Sequence, residues 1–179
     1  MFNFDYYNPT RIVFGKDSIA RLDKLVPADA RVLILYGGGS AERNGTLAEV
    51  EAALGARFMQ RFGGIEPNPS YETLMGAVEQ IRREKLDFLL AVGGGSVIDG
   101  TKFAAAAVNY AGEPWNIVET SGKHVTQALP MACVLTLPAT GSEMNCLAVV
   151  TRKSLQSKLS FASPLVFPQF SVLDPAKTF

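Results

Sequence analysis

Histidine is nearly missing from this chain: His124 is the only one in 179 residues. A catalytic zinc or iron commonly draws on two or three imidazoles, so the chain by itself is not expected to hold one. Cysteine is scarce too. Cys133 and Cys146 have no metal-ligand spacing and make no disulfide framework, which points to a reducing compartment. Both read as small buried hydrophobes, and His124, beside Lys123 in a polar stretch, reads as a surface residue. There is no surplus of charge, with 17 Lys+Arg against 17 Asp+Glu. That balance excludes nucleic acid and anionic membrane as main partners, since both need a basic surface. The longest apolar stretch, Ala128 to Ala139, is broken by Pro130 and Thr136 and is too short to span a bilayer. The start, Met1-Phe2-Asn3-Phe4-Asp5, lacks the basic residues and apolar core of a secretory leader, so a cytoplasmic location is expected.

What is present is a folded globule: 47% apolar and 19% charged residues, long enough to bury roughly 70% of the unfolded chain's surface in one domain, residues 1–179. Strands are expected at Arg11–Phe14, Arg31–Tyr36, Arg57–Phe62, Asp87–Val92 and Ala132–Leu137. Several are continuous apolar runs, the mark of strands buried on both faces. Between them come helix-period segments: one from Asp17 or Ser18 to Val26, one from Glu42 to Leu54, one capped by Ser70, and one from Val97 to Asn109. In the third, Leu74, Ala77, Val78 and Ile81 share a face. Strands joined by helices of this length pair in parallel through right-handed crossovers. Further strands follow at Leu147–Arg152, Lys158–Phe161 and Phe170–Leu173. The fold class is α/β, a doubly wound, mostly parallel Rossmann-like sheet with helices on both faces and an added antiparallel hairpin.

Two segments share one plan, a buried strand running into Gly-Gly-Gly-Ser and then a helix. They are Gly37-Gly38-Gly39-Ser40 after Tyr36 and Gly93-Gly94-Gly95-Ser96 after Val92. Successive glycines let backbone N–H groups converge, and a helix N-terminus adds partial positive charge, so both read as phosphate-binding turns rather than plain tight turns. Familiar spacings fail at the second turn. Ile98 stands where G-x-G-x-x-G needs its last glycine and where G-x-S-x-G needs its second. Gly95 and Gly100 are spaced as in the nucleoside-triphosphate loop, but Thr101-Lys102 follow in reversed order, which turns the amine by about 100° around the helix. Asp99 has two readings: a carboxylate favoured by the helix dipole near the N-terminus, or a group that orders the turn or receives a ligand hydroxyl beside the phosphates. The first turn carries no acid after its strand, where NAD-selective sites usually place one, so NADP is expected over NAD. Arg43, a turn later, favours that choice and Glu42 opposes it.

With these turns in view, the chain resembles the iron-containing alcohol dehydrogenase family, in particular its NADP-dependent, broad-range aldehyde reductase branch. The matching segments are Pro9–Gly15, Gly63–Pro69, Gly93–Asp99, Leu137–Glu143 and Leu173–Pro175, in the family's order. The resemblance implies that Gly94, Gly95, Ser96 and Asp99 hold the pyrophosphate and its neighbouring ribose, with Asn68 beside the adenosine half. It implies that Thr136, Leu137 and Thr140 line the path to the nicotinamide and that Lys158 reaches the nicotinamide ribose. From the residues alone, Thr136 and Thr140 equally suit turn chemistry, and Lys158 a solvated hairpin charge.

Members of that family run to about twice this length, and their helical second half supplies an aspartate and three histidines as metal ligands. The chain is therefore expected to be the NADP-binding N-terminal domain of an aldehyde reductase, a homodimer in the parent protein. Fe or Zn would lie in the parent only, and this chain alone would be inactive. The apolar residues Phe161, Leu165, Val166, Phe167, Phe170 and Phe179 exceed what two short strands need, and some are expected to cover a docking face. Two competing readings are a dehydroquinate synthase-like lyase domain, which shares the Gly-Gly-Gly-Ser-x-x-Asp turn, and a stand-alone nucleotide-binding module. The loop Pro138–Glu143 favours the dehydrogenases.

Overall fold

A computed structural model describes residues 3–178; of the expected apolar surplus, Phe179 lies outside them. Eight strands are formed: β1 (Arg11–Phe14), β2 (Val32–Tyr36), β3 (Met59–Phe62), β4 (Phe88–Gly94), β5 (Met131–Leu137), β6 (Leu147–Arg152), β7 (Ser157–Ala162) and β8 (Phe170–Leu173). Helices α1 (Leu22–Leu25), α2 (Ser40–Arg43), α3 (Thr46–Leu54), α4 (Tyr71–Glu84), α5 (Gly95–Ala107) and α6 (Asn116–Glu119) connect them. Six strands form one parallel sheet in the order β1-β8-β5-β4-β2-β3, and β6 and β7 form a separate antiparallel pair. The expected fold class is the one observed.

Alternation along the buried strands divides the core in two, because successive side chains point to opposite faces. Leu33, Leu35, Leu89, Ala91, Cys133 and Leu135 pack on one face against α4 and α5. Val32, Ile34, Leu90, Val92, Ala132 and Val134 pack on the other against Leu22 of α1 and Leu47, Val50 and Leu54 of α3. After β2 the chain crosses to β3 on one side, then returns to lay β4 on the other. The β2–β4 border is thus a topological switch point, where open α/β sheets leave a crevice at the carboxyl ends of their strands.

Four local expectations change. The helix over 42–54 is broken into α2 and α3 because Gly45 turns left-handed (φ 80) and the Asn44 side chain accepts the Thr46 N–H at 3.1 Å. Neither Asp17 nor Ser18 caps the following helical turn with its side chain; Asp17 is itself left-handed, and its N–H donates to buried Asp174 at 2.8 Å. Most of the apolar surplus goes inward: Phe161, Val166 and Phe170 are core, Phe167 is half-buried, and Leu165 alone among the described ones is exposed. Cys133 is buried as expected, but Cys146 is only half-buried. Ser70 does cap α4, accepting from the Thr73 N–H at 3.3 Å, and His124 is exposed.

Candidate cofactor site

Both glycine turns emerge at the switch point, one from β2 and one from β4. Their residues line a single cavity of about 250 Å³, with Gly37 and Gly38 on one wall, Gly94, Gly95 and Ser96 on another, and Leu137 at the rim. A second cavity of about 190 Å³ adjoins it, sharing Gly95 and Ser96 and adding Asn68, Asp99, Thr140 and Lys158. The start of α5 is therefore the common wall of both.

The glycines there meet steric demands. A Cβ on Gly95 would lie 2.3 Å from Thr140 Oγ1, so only glycine lets the Thr140 hydroxyl close over the turn. Gly39 takes φ 95, and the Arg43 guanidinium lies against it, with Nη1 3.5 Å from the Gly38 carbonyl. Arg43 therefore sits over the first turn. Glu42 is in an ion pair with Arg61 at 3.3 Å. No side chain caps α5, whose N-cap is Gly94 and whose first turn holds no acid. Its leading N–H groups, with the positive end of the helix dipole, are suited to an anion.

Asp99 does not cap the helix. Its Oδ1 accepts from Ser142 Oγ at 2.8 Å and its Oδ2 from the Val149 N–H at 3.0 Å, tying α5 to the 138–145 loop and to β6. Burial pushes its carboxyl above the usual carboxylate range, opposed by those two donors and by the nearby Lys102 charge. Asn68, left-handed at φ 57, accepts from Lys158 Nζ at 2.7 Å, and its N–H donates to Ser96 Oγ at 3.4 Å. Lys158 is on β7 opposite Thr151, in the hairpin where it was expected. Of the expected site residues, Gly37, Gly38, Asn68, Gly94, Gly95, Ser96, Asp99, Leu137, Thr140 and Lys158 line the two cavities. Gly39 and Ser40 continue the first turn beneath Arg43, while Thr136 is half-buried on β5 and lines neither cavity.

Sequence reasoning missed Lys102 and Ser142. Lys102, passed over as a failed phosphate lysine, is fully buried and donates to Asn145 Oδ1 at 2.8 Å and the Leu147 carbonyl at 2.9 Å. Burial lowers its pKa to about 8. A lysine amid the alanine-rich, apolar run of α5 was the available signal.

The chain matches the family described as iron-containing alcohol dehydrogenase over residues 9–175. The chain belongs to that family. The dehydroquinate synthase-like reading is accordingly not favoured. Among related proteins, it is 57% identical to the NADPH-dependent aldehyde reductase YqhD of Escherichia coli, over all of this chain and 47% of that protein. It is 46% identical to a probable NADH-dependent butanol dehydrogenase of Bacillus subtilis, again over all of this chain and 47% of the relative. The crystal structure of the E. coli YqhD protein superposes with a TM-score of 0.96, covering 98% of this chain and 46% of that one. The chain thus spans about half the length of the relatives it matches. The family's name implies iron. Among the described residues no three His, Cys, Asp or Glu side chains converge, so the residues present do not fit a catalytic metal, and no step here runs through one. No helix of the described residues is long and apolar enough to cross a membrane.

Proposed function

We propose that this chain is the NADP-binding half of an oxidoreductase that moves hydride between NADP(H) and an aldehyde or primary alcohol. The observation that carries the reading is the meeting of two glycine turns and one uncapped helix start in one crevice at the switch point. The nicotinamide, when bound, supplies or accepts the hydride. The chain's own part is binding and orientation. Leading amides of α5, with Gly94, Gly95 and Ser96, receive the pyrophosphate. Gly37 to Ser40, under Arg43, receive the adenosine 2′-phosphate, and pairing of Glu42 with Arg61 removes the nearest opposing charge. Asn68 and Lys158 meet ribose hydroxyls, and Leu137 and Thr140 flank the nicotinamide end, with Thr136 behind them. The groups that polarise the carbonyl lie in the parent protein's remaining half, so the chain alone binds cofactor without turning over aldehyde. A cytoplasmic homodimer fits this reading, the exposed edge strand β1 with Ile12 and Phe14 outward offering the face for a second copy.

Calorimetric titration of the purified chain with NADP and NAD is the test. NADP binding several-fold tighter than NAD is expected; equal or tighter NAD binding would remove the assignment of the first turn to a 2′-phosphate.

A further inference from the structure

The order of hydrogen bonds around Thr140 fixes where its proton goes. Ser142 is buried, and its Oγ donates to Asp99 Oδ1 at 2.8 Å. A carboxylate only accepts, and a serine hydroxyl has one proton. With that proton given to Asp99, the 2.7 Å contact between Thr140 Oγ1 and Ser142 Oγ must be a bond donated by Thr140. The Ser142 N–H donates back to Thr140 Oγ1 at 3.3 Å. Thr140 has then used its proton and one lone pair within the chain. Its exposed side chain presents only the second lone pair to the cavity it lines.

We propose that Asp99, acting through Ser142, holds Thr140 as a hydrogen-bond acceptor, so that this wall of the site selects a donating ligand group, a sugar hydroxyl or a carboxamide N–H, and rejects a phosphate oxygen. The proposal rests on the dinucleotide reading of the site. It divides the two adjoining cavities by chemistry: the glycine-lined one offers N–H donors to phosphates, and the one under Thr140 offers an acceptor. Asp99 and Ser142 are positioning residues, acting only through Thr140. Burial raises the pKa of Asp99, and its two donors and the Lys102 charge oppose that rise. Lys102 stands one turn further along α5, and Lys158 lines the same cavity from β7.

Asp99→Asn inverts the chain of donors without changing its shape. The amide oxygen keeps the Val149 N–H, the amide nitrogen donates to Ser142, Ser142 gives its proton to Thr140, and Thr140 aims its own at the ligand's donor. Removing the acceptor by Thr140→Val is expected to weaken NADP binding about tenfold, the value of one well-made hydrogen bond. Asp99→Asn should weaken it by at least as much, and the double variant should bind like Thr140→Val alone, since no hydroxyl is left to misdirect. An analogue with acetylpyridine in place of nicotinamide separates the two donors. If the Thr140→Val loss vanishes with it, the carboxamide is the partner; if the loss persists, the ribose hydroxyl is. Unchanged affinity in Asp99→Asn, or an Asp99→Asn loss of the same factor on the Thr140→Val background, would overturn the proposal in favour of a bracing role. Neutron diffraction from crystals of the unliganded chain decides the polarity independently of variants and cofactor. The Ser142 deuteron should point to Asp99 and the Thr140 deuteron to Ser142, and the reverse order would overturn it. Failure of the wild-type chain to bind NADP would sink the dinucleotide reading and leave the neutron result to judge the donor order.

Discussion

Lys102 shows at the scale of one residue what burial does to a charge. Its ammonium is shut into the core with two neutral oxygen partners, and its pKa falls from 10.5 to about 8. The unfolded chain then binds more protons than the folded one between those two values, so folding stability rises with pH across that window. From pH 7.5 to 9.5 the gain from this group is about 2 kcal/mol. Urea unfolding of wild type and Lys102→Met at both pH values should show wild type gaining that much on the variant; parallel behaviour would mean that the lysine titrates normally. The sequence displayed this residue but hid its role. Its position fails the phosphate-loop pattern, and a failed pattern says nothing of where a misaligned amine goes. Asp99 was similarly half legible. Its place beside the glycine turn could be read, but its partners, Ser142 and the Val149 amide, lie 43 and 50 residues away in the chain and depend on tertiary packing.

Elements were read best where both faces are buried. β2 and β4 declared themselves through unbroken apolar runs, β5 through a run interrupted by Thr136 near its end, and α4 through its cap at Ser70 and one apolar face. The errors come from short-range backbone chemistry overriding a longer pattern. The stretch 42–54 has helical composition, yet Asn44-Gly45 splits it, and that dipeptide is itself a turn signal. The small helix α6 went unread because four residues carry too little periodicity to register. Gly45 at φ 80 gives this scale its prediction. Gly45→Ala, which favours helix on propensity, should instead destabilise the chain by about 1–2 kcal/mol, the cost of a left-handed L-residue. Urea denaturation at pH 7 checks it, and a stabilised variant would mean that α2 and α3 join into one helix.

Across the whole molecule, the site is a product of topology more than of any motif. Neither glycine turn satisfies a standard fingerprint alone, and the turns stand 56 residues apart (Gly37 to Gly93). They meet only because β2 and β4 are neighbours in the sheet, and the order of strands cannot be counted off from residue spacing. Parallel pairing was legible; that β8 would insert between β1 and β5 was not, since β1 and β8 lie at opposite ends of the chain. The proposed function therefore requires a dinucleotide to bridge the β2–β4 crevice. A crystal of the chain soaked with NADP tests this most directly. Pyrophosphate against the amides of Gly94 to Ser96, with the 2′-phosphate on Gly38 to Ser40 beside Arg43, is the predicted result; a nucleotide bound elsewhere, or lying with its adenosine end at Thr140, would contradict it.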